Sequence, residues 1–202
     1  MKKFAVLAMG AGLLVSSEVM AEGMYFEVDY LKLDMAWSTP SAVGDFVGGS
    51  IEGIDASPPA IGIKIGSQFN KNLALEAMFG FGTSDDDFLS ASDVSFTGEF
   101  NSVIGVNALG TIPVADNFKI YGKIGFAQVD VDLGFNASGL SQSYSSDDTG
   151  ILFGAGFVID VTEKSAFALE YIKLPDVNVD VLGTDFGKIK TTSINFGYKG
   201  RF

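Results

Sequence analysis

The sequence predicts an all-β fold, an eight-stranded antiparallel transmembrane β-barrel with short periplasmic turns and long extracellular loops. Three observations predict it. The side-chain period is two through nearly all of residues 22–202. Connections alternate between short and long. On most strands one face carries Phe, Ile, Leu, Val and Tyr, and the other carries Gly, Ala, Asn and paired charges. An apolar outside around a polar inside is the arrangement of a membrane barrel. A soluble eight-stranded barrel puts its apolar residues inside, and a secreted β-sandwich would show charges on its exposed face.

Each element follows from this pattern. "MKK", the apolar run "FAVLAMGAGLLV" and the small residues Val19 and Ala21 read as a cleaved secretory signal over residues 1–21, leaving a barrel domain over 22–202. The apolar run is too short to span a bilayer as a helix, which needs ~20 residues. "MYFEVDYLKLDMAW" opens the barrel, with Phe26, Val28 and Tyr30 on one face. Leu31, Leu33 and Met35 then suggest a slip of one residue, which a bulge near Tyr30 would produce. In "AIGIKIGSQF" Ile61, Ile63 and Ile65 oppose Gly62, Lys64 and Gly66, and in "NLALEAMFGFG" Leu75, Ala77 and Phe79 oppose Glu76 and Met78. "EFNSVIGVNALGTI" sets Phe100, Ile104 and Val106 against Asn101, Gly105 and Asn107. Three further strands, "NFKIYGKIGFA", "TGILFGAGFVID" and "AFALEYIKL", alternate in the same way before the closing "TTSINFGYKGRF". Short links fall at Asn70–Asn72, Pro113–Asn117 and Thr162–Ser165. Long ones span Ser38–Ser57, Thr83–Ser95, Asp130–Asp148 and Pro175–Asp185.

Composition narrows the function classes. The 202 residues include no Cys and no His, so thiolate and imidazole metal sites and disulfides are excluded, and the usual general base of hydrolases is missing. Without residues 1–21 the chain carries 11 basic and 24 acidic residues, a formal charge of −13. Nucleic acid would repel such a chain. A mean hydropathy of +0.30 and 18 Phe are nonetheless unusual for a soluble secreted protein.

Parity places ten charges inside the barrel: Glu27, Asp29, Lys64, Glu76, Lys119, Lys123, Asp160, Glu170, Lys199 and Arg201. Five of each sign can pair, and eight strands leave a lumen just wide enough for side chains to fill. The interior therefore reads as a plug of satisfied charges, with a narrow ion path as the alternative. The closing strand should bring Lys199 and Arg201 beside Glu27 and Asp29 as a charge-paired seam. The four long loops are rich in Asp and contain no Lys or Arg. Their "DDD" at Asp85–Asp87 lacks the spacing of a calcium loop, so no metal, cofactor or catalytic residue is assigned.

The last strand must pair with the first, because an open edge in hydrocarbon leaves backbone groups unsatisfied. That strand, with Asn195, Gly197, Tyr198 and Phe202, resembles the C-terminal recognition signal of bacterial outer-membrane proteins, although Gly200 stands where that signal has an apolar residue. "GAGFVIDVTEKSAFALEY" and "KIYGKIGFA" look like the closing hairpins of small porin-family barrels similar to the OmpA membrane domain and the opacity proteins. The resemblance implies a Gram-negative outer-membrane location and contact with lipid and with the outer-membrane assembly machinery. Barrel enzymes of this architecture use His, so an enzyme is rejected. A structural or surface-interaction role is expected, with the acidic loops open to an extracellular partner; a narrow pore for ions or small solutes is the alternative.

Overall fold

The computed structural model describes residues 23–38, 54–91, 94–137, 140–181 and 184–202. The expected leader at 1–21 and residues 39–53 of the first long loop, including Asp45 and Glu52, lie outside the described residues. Eleven strands are present among the described residues: β1 (Met24–Ser38), β2 (Ile54–Ala56), β3 (Pro59–Asn70), β4 (Leu73–Gly82), β5 (Asp85–Ala91), β6 (Val94–Ala115), β7 (Phe118–Ala137), β8 (Leu140–Asp160), β9 (Ser165–Lys173), β10 (Val177–Val181) and β11 (Thr184–Arg201). They form eight staves, because β2, β5 and β10 pair beside the upper ends of the ring strands. The ring runs β1–β3–β4–β6–β7–β8–β9–β11, and β11 returns to pair with β1 along Tyr25–Ser38.

The registers fix how far the sheet is sheared. Successive partners from Met24 are Ser67, Leu75, Ala108, Ile124, Phe153, Lys173 and Thr192, and Thr192 then faces Asp34, ten residues above the start. With eight strands that stagger corresponds to a strand tilt of about 40°. The residues that meet across the lumen are set by this slant as much as by sequence position.

The slip expected at Tyr30 is absent. The β1–β11 register is unbroken, and Leu31, Leu33, Met35 and Trp37 point inward on the same parity as Tyr25, Glu27 and Asp29. The polarity of the two faces changes instead, while the backbone runs straight on. Below Tyr30 the inward face is charged and the outward face is Phe26, Val28 and Tyr30. Above it the inward face is apolar and the outward face is Lys32, Asp34 and Ser38. Strand β7 does the same between Phe126 and Ala127: Tyr121 and Lys123 give way to Ala127, Val129 and Val131 inside, and Ile124 and Phe126 give way to Asp130 and Asp132 outside. A strand leaving lipid for water should show this inversion, because burial now means facing the lumen.

Two other expectations change. A register slip lies in β6, between Phe100 and Ser102, and it turns Phe100 into the lumen, where it is fully buried. The stretches expected as long loops at 83–95, 130–148 and 175–185 are largely strand, continuing as β5–β6, β7–β8 and β10–β11 hairpins. Their Ser, Asp and Gly content resembles loop composition, but those polar side chains occupy the water-facing side of an extended barrel.

Candidate functional site

The lumen is built in two tiers. In the lower tier β1 contributes Tyr25, Glu27 and Asp29, β3 Lys64, β4 Glu76, β7 Tyr121 and Lys123, β9 Glu170, and β11 Asn195 and Lys199. All of these are buried. Alternate residues on a strand share a face, so the two-residue spacings Glu27–Asp29 and Tyr121–Lys123 aim both members inward. Gly66, opposite Tyr25 in register, leaves room for the phenol ring to lie across β3. Gly197, opposite Asp29, makes the same allowance for that carboxylate.

Ion pairs chain through the tier. Lys199 Nζ is 2.9 Å from Glu27 Oε2, and Glu27 Oε1 is 2.9 Å from Lys64 Nζ. Lys64 also approaches Glu170 at 3.0 Å and Asp29 at 3.2 Å. Glu170 continues to Lys123 at 2.5 Å, and Lys123 to Glu76 at 2.8 Å. Neutral donors complete the carboxylates. The Tyr25 hydroxyl donates to Glu76 at 3.0 Å, the Tyr121 hydroxyl to Glu170 at 2.8 Å, and the Asn195 amide to Glu170 at 3.2 Å. Glu170 is the hub, holding two ammonium groups and two neutral donors. Lys199 further sits 4.2 Å above the Tyr25 ring, a favourable cation–π placement.

The remaining charges form a separate cluster at the periplasmic mouth. Lys119 lies 2.8 Å from Asp160, and Arg201 lies 2.5 Å from the other Asp160 oxygen; all three are partly exposed. The expected seam is therefore split. Lys199 meets Glu27, but Arg201 turns to Asp160 rather than to Asp29, and its backbone N–H donates to Lys164 on the same side. Arg201 faces Tyr25 in register, one inward step below Glu27, so the β8–β9 turn is its nearest acidic surface. Asp29 is left with Lys64, and neither of its oxygens accepts a hydrogen bond among the described residues.

The upper tier is hydrocarbon. Leu31, Leu33, Met35, Phe100, Val103, Val129, Val131, Leu152, Ile172, Leu174 and Ile189 are buried together above the ions. Parity in "TGILFGAGFVID" puts Leu152 inward, but sequence reading leaves most of this seal unassigned. The signal was present in the unbroken inward parity of Glu27, Asp29, Leu31 and Leu33, and it was obscured by treating the polarity change as a slip. The tyrosines that cap Glu76 and Glu170 likewise share parity with the charges beside them.

The outer surface matches a bilayer. Val28, Tyr30, Ile63, Phe81, Ile124, Phe126, Phe153, Leu169, Tyr171, Ile194 and Phe196 are exposed around the wall. At its lower edge aromatic pairs form a girdle, including Phe26–Phe202, Phe118–Phe157 and Phe167–Tyr198. A closed eight-stranded ring with an apolar exterior, an aromatic girdle and a charged interior defines a small transmembrane barrel of the bacterial outer membrane.

The chain belongs to the outer membrane protein beta-barrel domain family, which matches residues 5–202. No curated protein sequence matches it. Among solved structures it is similar to Ail, the attachment invasion locus protein of Yersinia pestis, with a TM-score of 0.55 at 14% identity over 90% of this chain and 99% of that one. Neisserial surface protein A aligns with a TM-score of 0.56 at 14% identity, covering 90% and 98% of the two chains. OprG of Pseudomonas aeruginosa aligns at 0.53 and 13% identity, covering 89% and 96%. The family is one of non-enzymatic outer-membrane barrels, and these likenesses are of fold.

Proposed function

We propose that this protein is a non-conducting surface barrel, anchored by its lower half and presenting its upper half to the exterior. The observation that carries the reading is the stack of buried apolar side chains above the ion network. A charged ladder runs through the lower tier only, and an ion leaving it upward would meet Leu31, Leu33 and Leu152, whose exposures are 2% or less. An ion without water or a counter-charge is strongly excluded from such surroundings. The ion network then serves as a structural core, satisfying charges that lipid-spanning strands cannot turn outward.

The upper barrel is acid-rich on its water side, with Glu99, Asp130, Asp132 and Asp147 projecting from β6–β8. Charge complementarity selects a cationic extracellular partner for that surface. Ail has been solved with the heparin analogue sucrose octasulfate, a polyanion; the acidic surface here favours the opposite charge. Asn195 and Gly197 inward with Tyr198 and Phe202 outward further support recognition of β11 by the assembly machinery. That role is checked by deleting Phe202 and measuring how much protein reaches the outer membrane.

Single-channel conductance of refolded protein in a planar bilayer tests the main reading, with folding verified by the unboiled band shift. Silence from folded protein is expected. Reproducible current steps that change on Glu76→Gln or Lys123→Gln would overturn it in favour of a narrow pore.

A further inference from the structure

The lipid-facing wall gives way to charge at its upper edge, and the sign of that charge differs between the two sides. Among the described residues four basic side chains point outward there: Lys32 on β1, Lys173 on β9, and Lys188 and Lys190 on β11. These strands are neighbours in the ring. The other described basic residues face the lumen or its mouth, or sit in the periplasmic turns as Lys71 and Lys164. On the opposite wall, β6–β8 carry Glu99, Asp130, Asp132 and Asp147 at the corresponding edge.

Register brings three of the four lysines close together. Lys173 faces Thr192, and Lys190 and Lys188 stand two and four residues above Thr192; diagonal neighbours on one sheet face lie ~7–8 Å apart, within the reach of lysine side chains. Lys32 faces Ile194, four residues below Lys190, at the lower edge of the patch. Asp176 lies 3.9 Å from both Lys173 and Lys188, and Asp34 shares the face. Asp55 on β2, opposite Ala36, is exposed on that face too, so three carboxylates stand against four ammonium groups. Lys32 and Lys190 form no ion pair among the described residues.

A notch adjoins the patch. The β8–β9 pairing ends at Phe153 and Lys173, and Pro175 separates β9 from β10. This leaves a recess of about 250 Å³ among Ile151, Phe153, Lys173, Pro175 and Asp176. Its lower side is apolar and faces lipid, and the Lys173 ammonium sits 5.8 Å from the Phe153 ring centre at its lip. Immediately below the lysines, Tyr30, Tyr171 and Ile194 are exposed to hydrocarbon. The patch therefore lies at headgroup level, where a basic side chain attracts anionic lipid.

We propose that Lys32, Lys173, Lys188 and Lys190, with the Pro175 notch, hold a phosphate-bearing lipid of the outer leaflet. Its phosphates sit on the ammonium groups and an acyl chain lies along Phe153 and Ile151. The sequence showed only that the loops lack cations; the cations are on the wall beneath them.

The experiment is native mass spectrometry of folded protein taken from vesicles of phosphatidylcholine doped with bis-phosphorylated lipid A. The wild-type chain should retain lipid A adducts. The Lys173→Gln/Lys188→Gln/Lys190→Gln variant should lose at least about tenfold in retention, and a Lys71→Gln/Lys164→Gln variant at the far end should lose none. Equal retention by the first variant, or equal loss by the second, would overturn the proposal. Should the triple variant not fold, the wild-type adducts are followed from about 0.05 to about 0.5 M salt; adducts indifferent to salt would refute it. Displacement of lipid A by excess inorganic phosphate would identify a free-anion site and also refute it.

Discussion

The lower and upper halves of this barrel share their strands and bury opposite kinds of side chain. In the lower half Lys64 and Glu170 are buried and Ile63 and Leu169 are exposed. In the upper half Leu33 and Val131 are buried and Asp34 and Asp132 are on the outer face. No change of register accompanies the inversion on β1. The comparison shows that binary pattern encodes the solvent outside a strand as well as its geometry. A sheet crossing from lipid to water keeps its backbone and exchanges the roles of its faces.

Substitutions that ignore the boundary should break each half in its own way. The largest effect is expected for Leu33→Asp, which would place an unpaired charge in the hydrocarbon seal and remove a fully buried side chain. The loss should reach about 5 kcal/mol, read as a fall in the urea midpoint of the band shift. Next comes Glu170→Gln in the lower half, which strips the shared partner from Lys64 and Lys123. Breaking a buried pair costs about 3–5 kcal/mol, and a double-mutant cycle with Lys123→Met should recover part of it. Third, Ile63→Lys on the lipid face should cost about 2–4 kcal/mol, whereas Lys32→Leu, above the boundary, should stay within about 0.5 kcal/mol. If those two cost the same, the boundary is not where the inversion puts it.

The smallest expected effect is the most discriminating. Three buried ammonium groups, Lys64, Lys123 and Lys199, face four buried carboxylates, and Asp29 is the one whose oxygens accept no hydrogen bond. Asp29→Asn should therefore be neutral or stabilising by up to about 1 kcal/mol, while Glu27→Gln, which separates Lys199 from Lys64, should destabilise clearly. Equal losses from the two would show that the network does not distinguish its members by hydrogen bonding.

Much of this architecture was legible in the sequence. Eight staves and their outward faces follow from parity, because period two is the direct imprint of a strand with unlike sides. What parity cannot supply is who meets whom across the lumen. That depends on a stagger of ten residues accumulated around the ring, and it sends Arg201 to Asp160 instead of Asp29. Nor does parity locate a bulge. The change at Tyr30 mimics one, while the slip that does occur beside Asn101 leaves no compositional trace. The extended hairpins were obscured because Ser, Asp and Gly suit both loops and the wet face of a strand. The outward lysines were individually visible, but only the ring order makes neighbours of residues 32, 173, 188 and 190.

The meeting of β1 and β11 has a consequence for the order of events during insertion. Glu27 and Asp29 belong to the first strand, and Lys199 and Asn195 to the last. Until those two strands meet, Glu27 lacks Lys199, so the incomplete sheet retains a carboxylate short of its counter-charge. A slip of one residue at the join would turn Lys199 outward toward lipid. A slip of two would move it away from Glu27. The native registration sets Lys199 against Glu27, so the barrel's final step is also its own proofreading: the last strand delivers the counter-charge that the first has been waiting for.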